Sequence, residues 1–382
     1  MKRNQPYWLV PLLAAIFLLG LLVNPNQLLN RNPPPVESLN VEQTILNDDG
    51  ITLKLRAAGS QPMQIAQVQV DGAYWQFSQQ PPGNIPRLDT ATLDIPYPWV
   101  SRASHHIQLL TNTGLTFNHT IDVALATPEW SLSTLLTYSW MGLYVGLVPV
   151  GLGMLSYSFL TRLGKSGLGF VLSLTVGLLA FLFVDTLQEG LELGQQAVSA
   201  FQGQALVWLG SAIAFLTLVT ISRRQGKPPQ GKALSIYLAM GIGLHNFGEG
   251  LAIGTAFAVG ESALGTFLVV GFTLHNLTEG LGIVSPLLKH KTRWLTFLFL
   301  AMLAGLPAIP GIWLGAFAFS PHWAALCLGI GAGAILQVMV ELGIHLWQTT
   351  SSFNRSQFSP LNLAGFTLGI IVMYGTAILV KF

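Results

Sequence analysis

A six-residue arrangement occurs twice in this chain of 382 residues, His245-Asn246-Phe247-Gly248-Glu249-Gly250 and His275-Asn276-Leu277-Thr278-Glu279-Gly280, each inside an apolar run. In each copy His and Glu stand at i and i+4, so on a helix the imidazole and the carboxylate share one face, one turn apart. Asn adds an amide oxygen beside them. Two imidazoles and two carboxylates form a mixed nitrogen and oxygen ligand set that suits zinc, and also iron or manganese. Thiolates, which copper(I) favours, are missing from it. An ionisable side chain at the bilayer centre costs at least about 2.5 kcal/mol, so four of them in apolar surroundings point to an ion path before they point to packing.

The copies are 30 residues apart, and their midpoint falls near Ser262, inside the polar break Val259-Gly260-Glu261-Ser262-Ala263-Leu264-Gly265. A tight turn there between antiparallel helices would put both signatures about 15 residues, or roughly 22 Å of helix, from the turn. They would then face each other at equal depth. One such pair is often only a structural hydrogen bond; two pairs at matched depth are much less often so.

The elements that must position these residues are membrane helices. Hydrophobic residues make up 51% of the chain and charged ones 9%, with a mean hydropathy of +0.55. A soluble domain is normally about 25% charged, so this is an integral membrane protein. The net charge of +2 is small and scattered, which gives no reason to expect nucleic acid as a partner. The single cysteine, Cys327, excludes an internal disulfide and a Cys-based metal cluster, and reads as a small buried hydrophobe. From Trp130 onwards the apolar stretches predict spans at about 133–160, 168–194, 203–222, 234–258, 262–288, 294–318, 322–348 and 361–381. Each is long enough to cross a hydrocarbon core of about 30 Å.

The first third of the chain differs. Lys2 and Arg3 precede an apolar stretch at about 7–23 and an Asn/Pro-rich segment, so residues 1–35 read as a signal anchor or signal peptide with its linker; without an Ala-x-Ala site, an uncleaved anchor is favoured. Residues 36–128 alternate apolar and polar, as in Ile51-Thr52-Leu53-Lys54-Leu55 and Ile65-Ala66-Gln67-Val68-Gln69-Val70, and predict a small β-sandwich-like domain of about seven strands. The membrane part follows at 129–382. The expected fold class is an all-α polytopic membrane protein with an eight-helix core, preceded by an N-terminal membrane segment and a small extracytoplasmic all-β domain. With a cytoplasmic start, 12 of the 18 Lys and Arg fall on the cytoplasmic side, in agreement with the positive-inside rule. The β domain then lies outside the cytoplasm, at a bacterial inner (plasma) membrane if the cell is bacterial.

The paired signatures resemble those of the ZIP (Zrt/Irt-like) family of divalent-metal transporters, particularly its bacterial branch, and the resemblance covers about residues 133–382. The eight spans fit the ZIP core. The resemblance implies that His245, Asn246, Glu249, His275, Asn276 and Glu279 bind metal in the middle of the pathway, and that the metal, as substrate, moves towards the cytosol. Polar residues of two further spans gain meaning from it. Asp185 and Glu189, at i and i+4, stand where relatives often have His and Glu and could form an outer entry site, although an acid near a helix end can also simply reach water. Gln337, Glu341 and His345 form a stripe at successive i+4 steps, beside the metal path or as a helix-packing network.

Two departures from the ZIP pattern matter. Bacterial relatives often carry Glu-Pro after a Gly-Leu pair in the sixth span, whereas this chain reads Gly305-Leu306-Pro307-Ala308, so one principal metal site is expected rather than two. Gly248 stands where relatives frequently have Pro, and either residue weakens a helix, so locally free carbonyls are expected there.

The expected function is a carrier for a divalent transition metal, zinc first and iron or manganese next. It is not an enzyme and carries no Gly-x-x-x-x-Gly-Lys-Ser/Thr loop for nucleotide. Metal ligands must be deprotonated, so acid should compete with the ion, and alternating access is the expected mechanism. Membrane lipid and the metal ion are the expected partners, with room for a homodimer and for an unknown extracytoplasmic partner of the β domain. Two alternatives are a membrane-anchored metal-binding or sensor protein without transport and an intramembrane metalloprotease; the second lacks a His-Glu-x-x-His order. His105, His106 and His119 in the β domain are candidates to capture metal at the outer mouth, set against the commoner case of ordinary strand histidines.

Overall fold

The computed structural model describes residues 36–224, 226–258, 262–288, 291–318, 320–350 and 359–381. The expected membrane segment at about 7–23 and the loop acid Glu261 lie outside the described residues.

Alternation becomes strand in the N-terminal part. Eight strands form there among the described residues: β1 (Leu39–Asn47), β2 (Gly50–Ala57), β3 (Ile65–Val70), β4 (Ala73–Trp75), β5 (Ser78–Gln80), β6 (Thr90–Ile95), β7 (His105–Thr111) and β8 (Thr116–Ile121). They make two four-stranded antiparallel sheets, in the orders β1-β2-β6-β5 and β4-β3-β7-β8. Every second residue of β2, β6 and β7 enters one core, where Leu53, Leu55, Leu93 and Leu109 are fully buried. In β3 the buried positions are Ile65, Val68 and Val70, an odd step that strict alternation does not produce. A register shift between Ile65 and Gln67 accounts for it, because a bulge turns the chain over by one residue.

The rest is helical. The first span is composite, with α1 (Leu132–Gly142), a π-helical stretch (Leu143–Leu147), α2 (Val148–Leu155) and α3 (Tyr157–Leu160); α4 (Lys165–Gln196) and α5 (Gly203–Ser222) follow. The signatures lie on α6 (Gly231–Ala258) and α7 (Ser262–Val284). After them come α8 (Trp294–Gly305) with α9 (Ala308–Phe317), then α10 (Pro321–Thr350) and α11 (Pro360–Lys381). Six of these eight helical segments are long and apolar enough to cross a membrane by length and composition. The two others, α6 and α7, run for 28 and 23 residues and carry the signatures. The protein is thus a polytopic membrane protein with an all-β region ahead of its helices.

Ring contacts fix the helix directions. At the β-domain end Trp130 packs on Phe317 at 4.7 Å, and Tyr138 lies 6.2 Å from Phe257 and 5.7 Å from Phe317. At the other end Tyr157 packs on Phe297 at 5.2 Å. The first span and α7 therefore run away from the β domain, while α6 and the α8–α9 span run towards it. The two broken spans cross where Gly146 meets Gly305, and a Cβ on Gly146 would strike the Gly305 carbonyl. Both breaks have a proline nearby: Pro149 follows the π-helical stretch, and Pro307 separates α8 from α9. The expectation of a weakened helix at Gly248 is not met, since α6 runs unbroken through it. The irregular backbone sits in the two neighbouring spans instead.

The β region rests on the near end of α4 and on the short 3-10 turn Ser199–Phe201 that follows it, which packs on α10. Asn40 donates to the Gln196 carbonyl at 2.8 Å, and Arg56 lies over the Phe201 ring, 5.3 Å from its centroid. Phe201 in turn stacks on His322 at 4.5 Å. Arg56 is itself held by the buried Glu42 through bonds of 2.5 and 3.1 Å.

Candidate metal centre

The i, i+4 spacing does what helix geometry requires. Both His–Glu pairs point from α6 and α7 into the same interior, and none of the six signature residues with His, Asn or Glu side chains is more than 5% exposed. The imidazole centroids of His245 and His275 are 6.2 Å apart. Glu249 lies between them, with Oε1 at 2.9 Å from His245 Nε2 and 2.5 Å from His275 Nε2. Glu279 is the outlying member, its Oε1 4.0 Å from His245 Nε2. Single donor atoms of His245, Glu249 and His275 lie within 4.8 Å of one another. One ion with bonds of about 2.0–2.2 Å can bridge them after small side-chain movements.

The polar accounting favours a cation over a closed hydrogen-bond network. Both ring nitrogens of His245, Nδ1 of His275, Oε2 of Glu249, both oxygens of Glu279 and Oδ1 of both Asn residues are buried without a hydrogen-bond partner. The 2.9 Å approach of His245 to Glu249 lacks hydrogen-bond geometry and is an electrostatic contact only. A buried unsatisfied polar group costs about 1–3 kcal/mol, so eight of them in one place would be hard to retain for packing alone.

The two Asn side chains do a second job that their positions in the sequence do not announce. Asn276 Nδ2 donates to the Val145 carbonyl and Asn246 Nδ2 to the Ala304 carbonyl, each at 3.0 Å. Val145 has Pro149 four residues on, which has no N–H to offer its carbonyl, and Ala304 lies just before the break at Pro307. Each signature helix is thus tied to the irregular point of a broken span. Thr278 donates back to the His275 carbonyl at 2.7 Å, as its hydroxyl allows on a helix.

The secondary residues fall on either side of this centre. Asp185 and Glu189, with Glu192, line a cavity on the β-domain side, and that cavity reaches His275. Gln337 and Glu341 are buried on the other side, whereas His345, one further turn along α10, is half-buried. The amide nitrogen and oxygen of Gln337 both lack partners. Glu341 Oε1 accepts from Ser222 Oγ at 2.8 Å and from Arg223 Nε and Nη2, each at 3.3 Å. Neither Ser222 nor Arg223 stands out in the sequence, because more than a hundred residues separate them from Glu341.

The β-domain histidines do not converge. His105 is buried, donates from Nδ1 to Asp71 at 2.7 Å and accepts at Nε2 from the Val100 N–H at 3.1 Å, so both nitrogens are in use. His119 bonds Thr44 of the facing sheet at 2.8 Å, and burial lowers its pKa. His106 bonds Thr120 at 3.1 Å on the surface.

Comparison with known proteins follows the same line. Residues 220–377, from the end of α5 into α11, match the family model described as ZIP zinc transporter. A comparison with curated proteins found no match.

Proposed function

We propose, for a chain whose residues 220–377 belong to the ZIP zinc transporter family, that the buried cluster on α6 and α7 is the central binding site of a carrier for divalent transition metal. His245, Glu249 and His275 would bind the substrate ion, with Glu279, Asn246 and Asn276 completing the site. The carrying observation is the set of buried, unpartnered donor atoms that converge between the two helices. Zinc is the first candidate on the ligand set, with iron or manganese next.

The pathway in this reading enters through the cavity lined by Asp185 and Glu189 and leaves past Gln337 and Glu341. The basic loops then put the exit on the cytoplasmic side of a bacterial plasma membrane and the β domain outside. Two carboxylates balance one dication, and the Gly305-Leu306-Pro307-Ala308 stretch adds no further acid, so one principal ion is expected. Only deprotonated donor atoms bind it, so protons compete with the metal at this site, which links metal uptake to pH.

The test is zinc uptake into liposomes containing the purified full chain. Wild type should load zinc without nucleotide. The double variant His245→Ala/His275→Ala should insert normally and lose high-affinity uptake. Undiminished uptake by the double variant would remove the site from the mechanism.

A further inference from the structure

Glu341 is a buried carboxylate, 1% exposed, and its compensating charge comes from outside the helix packing. Arg223, just past the end of α5, has a half-buried side chain at the end of the molecule away from the β domain and reaches Glu341 Oε1 with two nitrogens. Ser222 supplies the third donor to the same oxygen. A buried charge is retained only when paired, and an arginine cannot become neutral to release it. The pair is therefore either closed or replaced by another cation.

The position of this pair makes the second option relevant. One helical turn inward from Glu341 is Gln337, fully buried with both amide atoms unpartnered. A Cβ on Gly241 would lie 2.8 Å from Gln337 Oε1, and Gly241 is one turn from His245 on α6. From the central site outward, the polar groups are thus His245, Gln337, Glu341 and finally Arg223. Gln337 has the oxygen that a passing cation needs and no protein partner for it, and Arg223 covers the next oxygen along the line.

We propose that Arg223 is a tethered cation that closes the far end of the path: it occupies on Glu341 the position that a departing dication must take, so that the arginine and the metal exclude each other there. This rests on the reading of the central cluster as a transport site. When Arg223 holds Glu341, the end of α5 is fastened to α10 and Gln337 is sealed. When a cation reaches Glu341, the arginine is released, the end of α5 loses this tie to α10 while the rest of the helix stays packed on it, and the far end opens.

The test measures access rather than transport, so it stands apart from the transport reading. In the full chain with Cys327→Ala, Gln337→Cys is labelled by N-ethylmaleimide in detergent. Adding Arg223→Gln should raise the labelling rate about ten-fold, within the range typical of coupling between sites. Arg223→Lys, which keeps the charge, should stay close to the parent. Glu341→Gln removes the other half of the tie and should match Arg223→Gln, so the question can still be answered if one of the two variants fails to fold. Equal rates for the parent and both neutral variants would overturn the proposal, as would Arg223→Lys behaving like Arg223→Gln. If labelling follows the expected order while wild-type liposomes take up no zinc, the Arg223–Glu341 tie is shown to seal Gln337, but its role as the exit of a metal path falls with the transport reading.

Discussion

Glu249 and Glu279 occupy equivalent places in two copies of one signature, yet their surroundings differ. Glu249 touches both imidazoles, whereas Glu279 approaches only His245, at 4.0 Å. Loss of charge at Glu279 should behave like loss of a supporting carboxylate and weaken zinc binding about 10–100-fold, and Glu249→Gln should weaken it by more. Equilibrium zinc binding to the two purified variants checks this, and equal losses would mean that the site is symmetric when loaded. The pairing of His and Glu was legible in the sequence because i and i+4 share a helix face whatever the rest of the fold does. The partners of Asn246, Asn276 and Glu341 were not legible. Ala304, Val145 and Arg223 are 58, 131 and 118 residues away, and only the packing of whole spans brings them together.

At the scale of elements, the sequence gives the number and limits of the helices well and their irregularities poorly. Runs of apolar residues mark spans by length, but a π-helical stretch has no composition of its own, and Gly248 looked a better place for a break than Val145. The backbone contact at Gly146 and Gly305 yields a prediction. A methyl group at Gly146 has no room against the Gly305 carbonyl, so Gly146→Ala should push the two broken spans apart and strain both Asn ties. A loss of about 1–3 kcal/mol is expected, the usual cost of overpacking, seen as a lower melting temperature in detergent. Gly151, where a Cβ would meet nothing within 4 Å, is the control.

The sheets carry a pH dependence of their own. Partial burial works to raise the pKa of Asp71, but bonds from His105, the His106 N–H and Tyr97 outweigh it and hold Asp71 down at about 2. A carboxylate lowered in the folded state stabilises fully above its unfolded pKa, about 3.9, and this is lost as pH falls towards 2. Hydrogen-exchange protection factors in β7, corrected for the intrinsic exchange rate at each pH, should therefore fall between about pH 4 and 2 in wild type, and Asp71→Asn should remove most of that change. An unchanged profile in the variant would assign the acid sensitivity to other groups.

For the whole molecule, the question is whether the β region is a lid on the helices or a separate body beside them. Among the described residues its contacts with the helix ends include the Asn40 bond to Gln196 and the stacking of Arg56, Phe201 and His322. Its own core is complete without the helices, with Leu53, Leu55, Val68, Leu93 and Leu109 fully buried between the two sheets. The signature helices are buried by other helices, not by strands, so nothing in the central cluster depends on residues 36–128 for its shape. Those residues do sit at the end where the cavity lined by Asp185 and Glu189 lies, which in the proposed pathway places them to influence arrival of the ion and not its passage. A chain lacking 36–128, with an export segment kept, should therefore insert, bind zinc at the central site as tightly as the full chain and keep its maximal uptake rate, while needing more zinc to reach half of it. A core that fails to insert, or a maximal rate that falls with the half-saturating concentration unchanged, would make the β region part of the transport unit itself.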